Sequence, residues 1–231
     1  MIDKVCLLAD IRRYLKNGLT VMVGGFGVPG TPFTLLNALL DSGVKGLTLI
    51  KNEANEDGIG LSKLIEAGRA GKLITSHLGL NATVIGIMNR GEIEVEFYPQ
   101  GILAEKIRAG GAGLVGILTD VGIDTILAKK KKVITIDGRR TIIEPALRAD
   151  VALIHAAAAD PFGNLIFEKS ARNFNPAMAT AADRVIVETE RLVDLGKLSP
   201  DSIHVPGGFV DHIVVLDKLS EEYGILAHHV I

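Results

Sequence analysis

The chain has 231 residues, 48% of them hydrophobic and 23% charged, enough to bury one sizeable core, so a single globular domain over 1–231 is expected. A formal net charge of -2 excludes a general attraction to phosphate backbones or anionic lipid, and neither nucleic acid nor a membrane is expected as a partner. One cysteine, Cys6, excludes an internal disulfide and a cysteine-based metal cluster, and points to the reducing cytoplasm.

Asp3, Lys4 and Asp10 interrupt the N-terminal pattern, which lacks the basic-then-apolar order of a secretory signal. Val5, Leu8, Ile11 and Leu15 recur at helical spacing until Asn17-Gly18, predicting a first helix. Residues 17–40 carry no charge, a length at which a membrane span must be considered. Gly24, Gly25, Gly27, Pro29, Gly30 and Pro32 break the middle of that stretch, so a buried strand over 19–23, a glycine-rich loop and a helix are predicted instead. Thr31 is expected to cap this helix and Pro32 to occupy its first turn, with Phe33, Leu36, Leu39 and Leu40 facing inward.

Strands over 47–50 and 73–76 then alternate with helices over 61–67 and 82–90. This predicts an α/β fold of three layers, a mainly parallel sheet with helices on both faces. Ile93, Val95 and Phe97 alternate with Glu92, Glu94 and Glu96, placing the next strand near an edge with one wet face. Pro99-Gln100-Gly101 is read as a turn, 102–109 as a helix and 110–113 as a glycine loop. Asp137-Gly138 joins strands over 133–136 and 141–143 into a β-hairpin, approached by a solvated lysine run at 129–132. Further buried strands are expected over 151–154, 165–167 and 185–187, with a turn at 160–164.

Gly25, Gly27 and Gly30 satisfy G-x-G-x-x-G, and Glu53 stands roughly where a dinucleotide fold places its ribose-binding acid. Three features oppose that reading: a helix precedes the first strand, Pro29 removes an amide from the loop, and Thr31-Pro32 start the helix after the third glycine. What remains is a loop whose amides and helix N-terminus suit an anion or oxyanion, or a tight turn with no ligand. His77 follows a strand but has no acid at the spacing of a hydrolase triad. His228 and His229 are assigned to a mobile tail, and no cluster of His, Asp and Glu suggests a metal.

The run Asn17-Gly18-Leu19-Thr20-Val21-Met22-Val23-Gly24-Gly25-Phe26-Gly27-Val28-Pro29-Gly30-Thr31-Pro32 resembles the signature of the A (alpha) subunits of class I CoA transferases. The resemblance continues through Pro99-Gln100-Gly101, 104–113, 160–164 and 170–175, and covers most of the chain. It implies the fold shared by CoA transferases and sugar-phosphate isomerases, and an A subunit that is active only with a B subunit, in an A2B2 assembly. Coenzyme A is then a substrate, with no permanently bound cofactor and no metal.

The resemblance places the glutamate nucleophile in a Ser-Glu-Asn-Gly motif of the B subunit, which this chain lacks. It assigns Gly24, Gly25, Phe26, Gly27, Val28, Pro29 and Gly30 to a CoA-facing loop, and Asn52 and Gln100 to hydrogen bonds with the thioester or acyl group. Ser170, Arg172 and Asn173 would line the cleft or the subunit contact, Arg172 equally serving as a structural clamp. Glu53 falls where relatives often carry Asn or Asp, so both a strand-end acid and a nucleophile stay open for it. Acetate, acetoacetate, succinate, 3-oxoadipate and butyrate systems would look alike at this level. A sugar-phosphate isomerase and a non-catalytic effector-binding module of related fold are the competing functions, though neither explains Gln100 together with 170–175.

Overall fold

A computed structural model of the chain describes residues 3–129 and 131–225. The segment predicted as the first helix is a short 3-10 helix, Leu8–Tyr14, with Ile11 buried. Val5 lies outside it and bridges Ile213 in parallel. The strand, loop and helix unit follows as β1 (Thr20–Val23) and α1 (Phe33–Asp41), then β2 (Leu47–Ile50), α2 (Leu61–Glu66), β3 (Ala70–Thr75), α3 (Ala82–Asn89) and β4 (Glu94–Phe97). Next come α4 (Gln100–Gly111), β5 (Gly116–Thr119), β6 (Val133–Ile136), β7 (Arg139–Pro145), β8 (Ala149–Ala156), β9 (Ala158–Ala159), β10 (Leu165–Ile166), α5 (Asn175–Thr180), β11 (Ala182–Thr189) and β12 (His212–Val215).

Seven strands form one sheet in the order β12-β11-β8-β1-β2-β3-β4. Every pairing in it is parallel. Such a sheet is covered on both faces, which is why its central strands are continuous apolar runs. Val21 and Val23 face a layer containing buried residues of α1, α2 and α3, while Met22 between them faces α4 and α5. The expected three-layer α/β architecture is present. β4 lies at the sheet edge as its alternation predicts. Its wet face is pinned by Lys72, which reaches Glu94 at 2.9 Å and Glu96 at 2.8 Å. The other edge strand, β12, was not anticipated from the sequence.

The hairpin is also present: β6 and β7 pair antiparallel, with Asp137 (φ 48°) and Gly138 (φ 78°) both left-handed, as a type I′ turn requires. It belongs to a separate three-stranded sheet, β5-β7-β6. Lys131 corrects the solvated-run reading, for it pairs with the buried Glu144 and lies 4.9 Å from the centre of the Tyr98 ring. The strand expected over 165–167 is only β10, paired antiparallel with β9 outside the main sheet. Asp160 is the cause: its Oδ1 accepts the amides of Phe162, Gly163 and Asn164 at 3.0–3.1 Å and reverses the chain immediately.

The turn at Gln100 and the loop at 110–113 are corrected too, because Gln100 is the first residue of α4 and Gly110 and Gly111 remain within it. A Cβ on Gly110 would lie 1.9 Å from the Leu147 carbonyl, and one on Gly111 2.0 Å from Thr180 Oγ1. These glycines let neighbouring chain pack against the helix. Among the described residues no helix is long and apolar enough to cross a membrane, and no group of side chains is arranged to hold a metal ion. The tail histidines His228 and His229 lie outside the described residues.

Candidate active site

Chain order along the sheet reverses between β1 and β8, with β1 to β4 running one way and β8, β11 and β12 the other. In open parallel sheets, ligands bind in the crevice at the carboxyl ends of strands flanking such a reversal. The glycine loop leaves β1 there. The Gly24 amide donates to the Leu153 carbonyl of β8 at 2.9 Å, tying the loop across the reversal. Gly25 (φ 100°), Gly27 (φ 61°) and Gly30 (φ 75°) are left-handed.

Close packing gives a second reason for the glycines. A Cβ on Gly24 would lie 1.9 Å from Asn175 Oδ1, one on Gly25 2.2 Å from Thr31 Oγ1, and one on Gly30 2.4 Å from the Ala171 carbonyl. The Gly27 carbonyl turns inward and accepts from Thr31 Oγ1 at 2.7 Å, Asn55 Nδ2 at 2.8 Å and Lys51 Nζ at 3.5 Å. Thr31 therefore closes the loop and does not cap α1, contrary to the sequence expectation. The cap comes from Glu188 of β11, whose Oε2 accepts the Leu35 amide at 3.0 Å. Of the amides expected to face a ligand, Gly24, Phe26 and Gly27 engage Leu153, Pro29 and Glu53.

Under the loop, Lys51, Asn52 and Glu53 are all buried. Lys51 Nζ pairs with Glu53 Oε1, and Asn52 Nδ2 donates to Glu53 Oε2 at 2.8 Å. Burial alone would push the Glu53 carboxyl up, but the Lys51 charge and the bonds from Lys51, Asn52 and Gly27 hold it below the usual carboxylate range. Burial pulls Lys51 down against the attraction of Glu53. Both Glu53 oxygens face donors, which favours its carboxylate form. Asn52 is equally committed, since Ser76 Oγ donates to its Oδ1 at 3.0 Å. Ser76 also lies 3.1 Å from His77 Nδ1.

Across the reversal, the His155 ring sits between two carboxylates, Nδ1 at 2.9 Å from Glu188 and Nε2 at 3.0 Å from Glu190. Both nitrogens donate only in the imidazolium. Burial opposes that charge, yet the two glutamates outweigh it and raise the His155 pKa. Burial likewise pushes the Glu188 carboxyl up, against the pull of His155 and the amides of Leu35 and Thr34. The His155 amide reaches Asn175 Oδ1 at 3.2 Å, and Asn175 Nδ2 donates to the Gly30 carbonyl at 3.1 Å, coupling this cluster to the loop.

Three of the segments singled out in the sequence meet at an open cleft of about 490 Å³, lined by Phe26, Gln100, Gly101, Asn173, Phe174 and neighbouring alanines. Phe26 is 41% exposed and carries the loop into the cleft. Gln100 stands on the first turn of the twelve-residue α4, where backbone amides favour developing negative charge. Asn173 Nδ2 donates to the Pro29 carbonyl at 2.9 Å, joining the 170–175 segment to the loop.

A family model described as Coenzyme A transferase matches residues 8–216. The chain belongs to this family. It is 47% identical to the alpha chain of the acetate CoA-transferase of Escherichia coli K12, over 93% of this chain and 98% of that protein. It is 48% identical to the A-type chain of the succinyl-CoA:3-ketoacid coenzyme A transferase of Xanthomonas campestris pv. campestris B100, over 90% and 86% of the two. An acyl-CoA transferase of E. coli O157:H7, solved as a thioester complex with CoA, superposes with a TM-score of 0.86 at 24% identity. That match covers 95% of this chain and 48% of the other, so this chain spans about half of its length and the likeness is one of fold.

Within this coenzyme A transferase, Phe26 and Gln100 share the cleft, whereas Asn52 lies beneath the loop among buried polar groups. Ser170 and Arg172 fall in the short 3-10 turn Lys169–Arg172, and the Ser170 carbonyl accepts from Asn173 at 2.7 Å. Lys51, Asn55, His155, Asn175 and Glu188 were missed by sequence reasoning. His155 did leave a signal, as an isolated polar residue inside the apolar run 151–159, where only a partner makes burial tolerable, whereas Glu188 ends its run beside Thr189 and Glu190.

Proposed function

We propose that this chain is the A (alpha) component of a heteromeric CoA transferase, moving CoA between a short acyl-CoA and a short-chain or 3-oxo carboxylic acid in the cytoplasm. It is one domain over 1–231, works with a B subunit in an A2B2 assembly, and takes coenzyme A as substrate. The observation that carries this reading is the cleft in which Phe26, Gln100 and Asn173, from three distant signature segments, converge at the sheet reversal.

The reaction begins with attack on the acyl-CoA carbonyl by a glutamate carboxylate of the B subunit. CoA leaves as thiolate and an acyl-glutamyl anhydride forms. The thiolate then attacks the glutamyl carbonyl, expelling the first acid as carboxylate and leaving a glutamyl-CoA thioester. A second carboxylate reverses these steps and takes CoA. Each tetrahedral stage places negative charge on oxygen, and Gln100, with its amide side chain at the start of α4, supplies a fixed donor there. The 24–30 loop shapes the CoA-facing wall and limits water at the acyl intermediates. Asn52 acts by holding Glu53 and Ser76. Glu53 supports the loop and is not the nucleophile, because Lys51 and Asn52 occupy both of its oxygens.

The test is CoA exchange measured across acetate, acetoacetate, succinate, 3-oxoadipate and butyrate, for the chain alone and with a co-expressed B subunit. Turnover is expected only with the partner, and Gln100→Ala is expected to lower kcat by about 100-fold. Turnover by the isolated chain would overturn the assignment of the nucleophile.

A further inference from the structure

The family model ends at residue 216, but the chain continues into a 3-10 turn, Glu221–Ile225, that is built into the site's foundation. The Glu222 carboxylate accepts from Lys63 Nζ, from Asn37 Nδ2 at 3.3 Å and from the Gly60 amide at 3.0 Å, so one side chain gathers α1, α2 and the loop before α2. Tyr223 packs its ring edge-on against Phe33, centroids 4.9 Å apart, and 5.2 Å from His155. Its hydroxyl donates to the Thr31 carbonyl.

Thr31 is the point at which the glycine loop closes. Its amide donates to the Val28 carbonyl at 3.1 Å, its hydroxyl to Gly27, and its carbonyl accepts the Phe33 amide at 3.0 Å as well as Tyr223. From Tyr223 a continuous chain of contacts therefore runs through Thr31 and Gly27 to Phe26 in the cleft.

We propose that the C-terminal turn is a clamp on the glycine loop and that Tyr223 is a positioning residue, acting through Thr31 to hold Phe26 where acyl-CoA binds. The last clause rests on the reading of the cleft given above. Loss of the hydroxyl leaves the Thr31 carbonyl to the Phe33 amide alone while the ring stays on Phe33, so the fold is retained and the loop samples other positions.

Tyr223→Phe separates this role from a merely structural one. In the full chain with its B subunit, amide hydrogen exchange over 24–31 is expected to quicken at least fivefold, with exchange in β8 and β11 unchanged. KM for acyl-CoA is expected to rise about tenfold, with kcat within twofold of the parent. Unchanged exchange over 24–31 would overturn the clamp. Faster exchange with unchanged KM would overturn its role in substrate binding. If the parent complex shows no CoA exchange at all, the functional reading fails, and hydrogen exchange still decides the clamp.

Discussion

Two regions of the molecule bury a lysine against a glutamate, and they use the pair differently. Beneath the glycine loop, Lys51 and Glu53 direct their remaining polar reach at backbone, Lys51 toward the Gly27 carbonyl and Glu53 toward the Gly27 amide. Between α4 and the small antiparallel sheet, Glu144 of β7 takes Lys106 at 3.0 Å and also Lys131, and both ammonium groups sit over Tyr98. There the other partners are an aromatic ring and regular elements. Burial depresses both Lys51 and Lys106, so each lysine needs its glutamate. The first pair gives an irregular loop one shape at the carboxyl end of the central strands, and the second fastens a side sheet to a helix. A buried ion pair is thus weak evidence of function by itself, and what decides is the group that its spare hydrogen bonds hold.

Removing one carboxylate from each pair breaks the comparison most sharply. Glu53→Gln strands a fully buried ammonium and is expected to cost about 3–5 kcal/mol, read from the urea midpoint. Adding Lys51→Met should restore most of that stability, while CoA exchange stays depressed because Gly27 has lost Lys51 and the Glu53 carboxylate and is held by Thr31 and Asn55 alone. Glu144→Gln is expected to cost about 3 kcal/mol, since Lys131 keeps some solvent, yet KM for acyl-CoA should stay within twofold. A large KM change in that variant would erase the distinction drawn between the two pairs.

The smallest effect belongs to the His155 cluster, and it depends on pH. The folded pKa of His155 is raised, so its contribution is complete below the unfolded value of about 6.5 and is lost as pH rises through the folded value. Glu188, also raised, acts with the same sign from the lower carboxylate range. His155→Gln should therefore remove on the order of 1 kcal/mol at pH 6 and progressively less toward pH 9. Urea midpoints of parent and variant across that range should converge. Parallel curves would show that the imidazolium adds nothing to folding.

Much of the fold was legible because its cues are local. Apolar runs such as Val21 to Val23 mark strands buried on both faces, and Asp137-Gly138 specifies a turn through backbone sterics alone. At the candidate site, the glycine loop, Gln100 and Asn173 were legible as separate motifs. Their meeting in one cleft was not, because Phe26 and Gln100 are joined only through the packing of β1 and α4 on one sheet. Asn52 was singled out through the resemblance, for hydrogen bonds to the thioester or acyl group, but its partners beneath the loop, Glu53 and Ser76, came only from the packed structure.

Composition and periodicity by themselves determined the α/β alternation, the hairpin and the place of the glycine loop after the first strand. Tertiary structure alone decided the strand order, the reversal between β1 and β8, and the partner of each buried charge. The helix cap shows why: Thr31 stands beside α1 in sequence, yet Glu188, 153 residues away, receives the Leu35 amide. Backbone preference acts between neighbours, whereas a buried polar group is satisfied by whichever donor or acceptor the packed sheet brings within about 3 Å.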